Sequence, residues 1–554
     1  MDFALLSQRL VWSRSNCGSR GLRHALPGLS VMLVTLTLAA CGGSGDGSST
    51  STSGTPVPST TASVGDATAI SNNTATLPAN TQTTSPGNTQ SNAPGTTQSG
   101  TQASLTLVTN GEGASATFTT AAGGVIDQSN TFFQPLGNGR ACSSCHQPEA
   151  GWSITPENLA ARFAATDGLD PVFRTVDGAN SPNAAVGTRD ERAAAYSMLL
   201  TKGLIRIGLP MPAGAEFDLV AIDDPYGFAS ATEVSLFRRP LPTTNLKFQV
   251  AMMWDGRETP TDPSSNSLCV RNVQPLNCFI SADQSLLNQA GHAVIDHAQS
   301  AAGLTAIQAR SVVDFETQQF TTQLVDNAAG RLDALGALSG PQALASMPFY
   351  FGLNDVIAGD YRSGKAFDPQ VMNLFSAWAA TPPAPGRPPV AKTAEVLARE
   401  SIARGERLFN GRRFSINGVA GFNDEIGRDP VQGTCSSCHS TPNVGTHSVP
   451  RMMNTGVSAA NRRTADLPLY TLRNKTTLAT VRVTDIGSAM QTGRWKDIGK
   501  MKVPSLRGLE SRSPYFHDGS ENDIAKLVGF YDRRFAIGLS GQDVADLTAF
   551  LKAL

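Results

Sequence analysis

Cysteine and histidine are both scarce in this chain, with 8 and 7 among 554 residues. That scarcity excludes a disulfide-dense scaffold, and it makes any close cluster of the two residue types informative. An imbalance of charge is lacking as well. The 44 Lys and Arg stand against 45 Asp and Glu, so nothing electrostatic points to nucleic acid as a partner. No apolar run reaches the roughly 20 residues that a bilayer-spanning helix needs; residues 29–40 form one that is too short. A chain of this length predicts two or three domains, with enough globular material to bury large cofactors.

What stands at the start is a basic lead, Arg9, Arg14, Arg20 and Arg23, then the short apolar run, then Leu38-Ala39-Ala40-Cys41-Gly42. Together these read as an export signal. The ending resembles a bacterial lipobox. That resemblance implies cleavage before Cys41, acylation of its sulfur and amine, and anchoring in the periplasm, at the outer membrane by analogy with Gly42. Several acyl chains anchor stably where one binds only marginally. Plain signal cleavage near the same place is the alternative. Residues 42–104 are Ser, Thr, Gly, Asn, Gln and Pro with almost no large apolar side chains. They cannot bury enough surface to offset their ordering entropy and read as a flexible tether.

The remaining cysteines carry the chemistry. Cys17 falls in the signal. Four others sit in two identical pentamers, Cys142-Ser143-Ser144-Cys145-His146 and Cys435-Ser436-Ser437-Cys438-His439. C-x-x-C-H is the attachment signature of c-type haem: two thiols bond one edge of the porphyrin and the adjacent histidine binds the iron. A zinc ribbon would pair two C-x-x-C units around one ion without requiring histidine after each. Two covalent haems are therefore expected, on Cys142, Cys145 and His146 and on Cys435, Cys438 and His439. Cys269 and Cys278 are left over. In an exported protein a local disulfide is the expectation, and two free thiols the alternative.

The second attachment site follows an amphipathic stretch at residues 393–409, and residues 541–551 close the chain with the same helical spacing. The proline-rich run 380–389 cannot continue a helix and marks a boundary. The expectation is a mainly α fold of two tandem cytochrome c-like haem modules with small β additions. The first is enlarged, at 105–385, and the second occupies 390–554. Helices are expected around 193–200 and 312–335, and residues 204–222 read as short strands that pair.

Beyond the haem sites, the chain contains Arg239-Pro240-Leu241-Pro242-Thr243, Met253-Trp254-Asp255-Gly256-Arg257, Met501-Lys502-Val503-Pro504-Ser505-Leu506-Arg507-Gly508 and Ser513-Pro514-Tyr515-Phe516-His517-Asp518-Gly519. With two haem sites in this order, it resembles the bacterial diheme cytochrome c peroxidase and MauG superfamily over most of its length after residue 125. The resemblance implies that Trp254 lies between the haems and relays electrons; read from the residue alone, it is a core aromatic. His517 is structural by the same comparison. The spacing after His517 places Tyr531 where the peroxidases carry a methionine ligand of the second haem. MauG-like members have tyrosine there, and a phenolate favours ferric and higher states. Met490 and Met501 are the alternatives.

At the first haem the resemblance places the peroxidases' glutamate at Gln299, with His297 two residues earlier. Glutamine can donate a hydrogen bond to a bound peroxide but cannot shuttle a proton, whereas imidazole can. His297 is read as the proton-handling group, with a sixth iron ligand or an ordinary histidine as the other possibilities. A calcium ion between the modules would lack a side-chain oxygen at Pro240, although main-chain carbonyls and Asp could still build a site. The implied activity is a peroxide-dependent oxidoreductase using hydrogen peroxide. Its electrons would come from a small periplasmic redox protein or from a protein substrate. The competing reading is a non-catalytic electron-transfer cytochrome, free-standing or as a redox subunit of a membrane complex.

Overall fold

A computed structural model describes residues 105–259, 261–262, 267–268, 282–380 and 391–554. They fall in one compact unit of α-helices and several small antiparallel sheets. The proline-rich run, Cys41, Cys269 and Cys278 lie outside the described residues.

Two helices frame the second attachment site. Ala394–Gly411 starts where the Thr393 hydroxyl accepts the Val396 N–H at 3.3 Å. Gly541–Lys552 starts at a Ser540/Asp543 capping box. Both fall within two residues of the sequence expectation. They cross at Gly405, where a Cβ would stand 2.0 Å from the Asp546 carbonyl oxygen, so only glycine permits the approach. The crossing is fastened by Arg404, which donates to Asp546 at 2.8 Å, and by Phe409 against Phe550 at 5.6 Å. Ala329, Leu332, Val371, Met372, Leu374 and Phe375, from the stretch ahead of the proline-rich run, share this helical pair's apolar core.

The expected helix at 312–335 is corrected. Ala306–Thr317 is helical, but Gln319–Asp326 is a strand. It pairs with Gly113–Thr119 on one side and Gly330–Arg331 on the other. Its first six residues are all buried, so both faces are covered and the run carries no alternation. Its Thr and Phe content suits a strand, and Thr321 meets Thr117 across the pair at 2.9 Å.

The short strands within 204–222 exist but do not pair with each other. Ile205–Leu209 pairs with Val234–Arg238, and Phe217–Asp223 joins Leu469–Asn474, far along the chain. That second sheet, completed by Thr480–Val483, stitches the regions around the two attachment sites together. Helices Arg189–Ala195 and Ser197–Lys202 answer to the segment read at 193–200.

Candidate functional site

The two pentamers fold alike because their sequences dictate it. In each, the first cysteine opens a 3₁₀ turn: Cys145 N–H and His146 N–H donate to the Cys142 carbonyl at 3.1 and 3.0 Å, and Cys438 and His439 to the Cys435 carbonyl at 3.2 Å each. The second serine locks the turn. Ser144 Oγ accepts the Ala141 N–H, and Ser437 Oγ the Thr434 N–H, both at 3.0 Å. Each histidine is then oriented through its Nδ1, which donates to the Trp152 carbonyl at 3.0 Å or the Gly445 carbonyl at 2.6 Å. That bond leaves Nε2 as the metal-binding nitrogen. Burial pushes both imidazoles down to about 4, so they stand neutral, as ligation requires.

Each loop opens onto a cavity. The first is lined by Cys142, Cys145, His146, Leu246, Met252, Leu286, Ala290, Val294 and Val312 among others. The second is lined by Cys435, Cys438, His439, Phe409, Val457, Leu527, Val528, Phe535 and Leu551 among others. Their non-atom space, part of it open to solvent, is about 1490 and 1650 Å³.

The cavity walls also carry cations with no carboxylate partner among the described residues. Arg239 and Arg512 donate to main-chain carbonyls, and burial pushes them down to about 9 and 10. Lys502 is pushed down to about 7 by the same cause. A buried cation without a counter-ion is costly. Large apolar cavities with paired thiols, an oriented imidazole and unpaired cations fit haem, a flat apolar group that brings its own carboxylates.

The two cavities share a wall: Arg239, Pro240, Leu241, Trp254, Lys502 and Ser505 line both. The Trp254 indole N–H donates to the Arg239 carbonyl at 2.7 Å, and its ring meets His517 edge-on at 6.3 Å. The Lys502 N–H donates to the Trp254 carbonyl at 2.8 Å. Behind this wall, Arg238 donates to Asp255 at 2.6 Å and to Asp485 at 2.7 and 2.9 Å, all three fully buried. His517 Nε2 stands 4.0 Å from Asp485. The Trp-Asp-Gly-Arg element is thus pinned by an ion-pair cluster that spans the chain from 238 to 485.

His297 lines the first cavity. Its Nδ1 donates to Asp177 at 2.6 Å, and Asp177 is held by Arg140 at 2.8 Å. Burial would raise the Asp177 pKa, but the His297 hydrogen bond and Arg140 outweigh it and hold the carboxyl below the usual range. The carboxylate fixes the imidazole's orientation as carboxylates do for catalytic and ligating histidines. The turn carrying His297 sits on the haem loop's lead-in at Gly137, where φ is +44° and a Cβ would stand 1.9 Å from the Ala298 carbonyl oxygen.

The placement of Gln299 at the peroxide is corrected. It is exposed, absent from the cavity lining, and accepts from Asn138 Nδ2 at 3.0 Å; its φ of +52° turns the chain outward after the helix Ala282–Asp296. A different acid lines the cavity instead. Glu316 is buried in the helix Ala306–Thr317, and its Oε2 has no hydrogen-bond partner. The available signal was spacing: Glu316 falls three and four residues after Val313 and Val312, on the helix's apolar stripe.

Tyr531 lines the second cavity, stacked on Phe535 at 6.4 Å and 5°. Burial raises its phenol well above the ordinary value, and a hydrogen bond with Thr455 works against that shift. Ligation would have to displace the phenolic proton. Of the alternatives, Met501 lines the same cavity, whereas Met490 packs in a separate apolar cluster. Substituting Tyr531→Phe is expected to change the low-spin signal of the second haem and raise its reduction potential, since phenolate favours the ferric state. An unchanged spectrum would assign the ligand elsewhere. Among the described residues, no group of three or more His, Cys, Asp or Glu is placed to hold a metal ion.

No protein-family model matches the chain. It is similar to the cytochrome-c peroxidase IdrP1 of Denitromonas iodatirespirans, at 37% identity over 81 residues, 13% of this chain and 22% of that protein. It is also similar to IdrP2 of the same organism, at 31% identity over 137 residues, 22% of this chain and 36% of that protein. The chain therefore spans about a fifth to a third of the length of these curated relatives. Among solved structures, a MauG-like protein associated with microbial copper homeostasis matches at 15% identity and a TM-score of 0.30, over 76% of this chain and 87% of that one. Paired C-x-x-C-H loops, each opening on its own cavity, are the arrangement expected of a protein that holds two haems. In particular, the matched segments are similar to cytochrome-c peroxidases.

Proposed function

We propose that this protein is a periplasmic diheme oxidoreductase that reduces hydrogen peroxide at the haem held by Cys142, Cys145 and His146, using electrons that pass through a second haem held by Cys435, Cys438, His439 and Tyr531. The observation that carries the reading is the shared wall: the cavities of the two attachment loops adjoin through a wall that includes Trp254. Haem, once bound, supplies the redox-active iron and its one-electron chemistry. The chain's own groups do the rest. Asp177 holds His297 with its second nitrogen free to take or give a proton. The Asp255–Arg238–Asp485 cluster fixes the strand and loop that carry Trp254. The donor is a small periplasmic redox protein, or side chains of a protein substrate, and Cys41 anchors the molecule to the membrane through lipid.

One observation favours a second reading. His146 and His297 line the same cavity, each with Nδ1 occupied, a pairing that also suits an iron ligated from both sides and a purely electron-transferring cytochrome. Electron paramagnetic resonance of the as-isolated ferric protein separates the two. The enzyme gives a high-spin signal beside a low-spin one; two low-spin signals would establish the transfer protein. Replacing Trp254 by Phe is expected to slow electron exchange between the haems by at least about tenfold, while peroxide still reacts at the first. An unaltered exchange rate would remove the indole from the path.

A further inference from the structure

Two pairs of adjacent arginines meet at the edge of the second cavity. Arg412-Arg413 follows the helix Ala394–Gly411, and Arg533-Arg534 falls in the last turn of the helix Ile524–Phe535. Far apart in the chain, they clasp each other's neighbours. Arg412 Nη2 donates to the Ile537 and Gly538 carbonyls at 3.1 and 2.7 Å. Arg534 Nη2 donates to the Asn417 and Gly418 carbonyls at 3.0 and 3.3 Å. Between them Phe414 meets Phe535 at 5.6 Å. Arg412, Phe414, Leu408, Leu527 and Leu539 line the cavity and are only half-buried, so the cavity reaches the surface here. Arg413, Arg533 and Arg428 are exposed. None of these five arginines forms an ion pair within 4.0 Å among the described residues. The acids nearby are engaged by main chain: Asp429 accepts the Gly418 N–H at 3.1 Å, Asp532 the Leu539 N–H at 3.1 Å and Asp543 the Ser540 N–H at 3.0 Å. By contrast, Arg140, Arg238 and Arg257 of the first cavity each have a carboxylate partner. Charge over the whole chain is balanced, 44 against 45, so this concentration of arginine is local.

We propose that this arginine rim is the docking surface of an acidic redox protein that donates electrons at the second cavity. It rests on the reading of the chain as an oxidoreductase served by a small protein donor. Charge complementarity selects the occupant. Like charges gathered without counter-ions raise the local potential, which steers an acidic partner to the opening and orients it. Arg412 and Arg534 are already fixed by carbonyls, so less side-chain freedom is lost when they meet a carboxylate. Half-buried Leu and Phe ringed by arginine have the composition of a protein interface, an apolar centre within a polar rim. A lipid surface fits less well. Binding at a membrane surface needs apolar side chains that project into the acyl boundary, and none of the exposed large hydrophobic residues belongs to this rim. His146 and His297 line the other cavity, so a donor seated here leaves the space for the oxidant clear. Each encounter oxidises one donor by one electron. Two encounters supply the two electrons that, with two protons, convert hydrogen peroxide to two waters.

The test is equilibrium binding, by biolayer interferometry, of the ferric full-length holoprotein to one small monohaem cytochrome c. That probe is used with its native basic surface and again after its lysines are succinylated to make it acidic. No peroxide is present, so binding is read apart from turnover. The acidic form is expected to bind at least about tenfold more tightly than the basic form. Its affinity should fall as salt rises to physiological strength, where the screening length is about 8 Å. Arg413→Glu combined with Arg533→Glu removes two exposed side chains that make no hydrogen bond among the described residues. This double variant is expected to bind the acidic form at least about tenfold more weakly with haem content unchanged, whereas Arg482→Glu, on the strand Thr480–Val483, should bind as wild type does. If the double variant loads haem poorly, Arg413→Gln with Arg533→Gln takes its place and must still weaken binding. Equal binding of the two cytochrome forms, or binding that the double variant leaves intact, overturns the docking surface while the peroxidase reading stands. No cytochrome binding, with stronger retention on phosphatidylglycerol than on phosphatidylcholine vesicles that the double variant loses, would assign the rim to lipid and overturn the proposal. Binding of the acidic form by a protein that never reacts with peroxide keeps the surface and brings down the peroxidase reading.

Discussion

A variant in which Cys142 and Cys145 are both serine is expected to retain half of the covalently bound haem and to react with peroxide no faster than background. Serine keeps the shape of the 3₁₀ turn, whose hydrogen bonds run through main chain and Ser144, so the fold of the loop is not at issue. What is lost is the pair of sulfurs that can bond the porphyrin edge. The converse variant, Cys435 and Cys438 to serine, keeps the first haem and its initial reaction with peroxide but loses sustained turnover, because electrons from the donor no longer have the second haem to pass through. Acid extraction of haem followed by peptide mass analysis distinguishes the covalent from the merely trapped group in both. Equal peroxide turnover in the two variants would contradict the division of labour between the cavities.

The largest effect on stability is expected at Arg238. Its guanidinium bridges Asp255 and Asp485, and all three are fully buried. Arg238→Met removes the only cation shown pairing with Asp485 at hydrogen-bond distance and leaves two buried carboxylates. Losing one partner of a buried pair costs about 3–5 kcal/mol, and here Asp485 loses its hydrogen-bonded cation while Asp255 keeps only Arg257 at 3.5 Å.

The pH dependence has a definite sign. In wild type, burial tends to raise both carboxyls, but Arg238 outweighs it and holds them below the usual carboxylate range. A depressed folded pKa contributes stability that is present above the unfolded value of 3.8 and is lost as pH falls through the folded value. Without Arg238 the burial effect is opposed only by Arg257 at Asp255 and by His517 and the Gly487 N–H at Asp485. Both folded pKa values then rise relative to wild type, so the stability that these carboxylates contribute at neutral pH shrinks. Denaturant midpoints measured at pH 5 and pH 7 should therefore converge between wild type and variant toward the acid side. A loss below about 1 kcal/mol at pH 7, or a gap that widens on acidification, would show that the cluster does not hold the wall in place.

What the sequence made legible was local chemistry. C-x-x-C-H and the helical spacing at 393–409 and 541–551 are local patterns, and the structure places both helices within two residues of where the spacing does. The strand Gln319–Asp326 was hidden because it is covered on both faces, which erases the alternation that marks a half-buried strand. The pairing of Phe217–Asp223 with Leu469–Asn474 was hidden because no local signal spans some 250 residues.

The site shows the same division. His146, His439 and Tyr531 come to their cavities as expected from motif and spacing, and Trp254 lies in the shared wall. Gln299 was misplaced because counting along the chain cannot see the left-handed turn that sends it outward. Glu316 and Lys502 were missed as cavity-lining groups because a single charge reads as solvated until burial is known.

The central claim is that two haems are bonded to this chain. The most direct measurement is the intact mass of the full-length protein produced in a host competent to mature c-type cytochromes, taken under denaturing conditions that strip any group not covalently held. The expected result is the mature polypeptide plus two haems, with both cysteine pentamers carrying the added mass after digestion. A polypeptide that carries one haem or none, with free thiols at Cys435 and Cys438 or at Cys142 and Cys145, would contradict it.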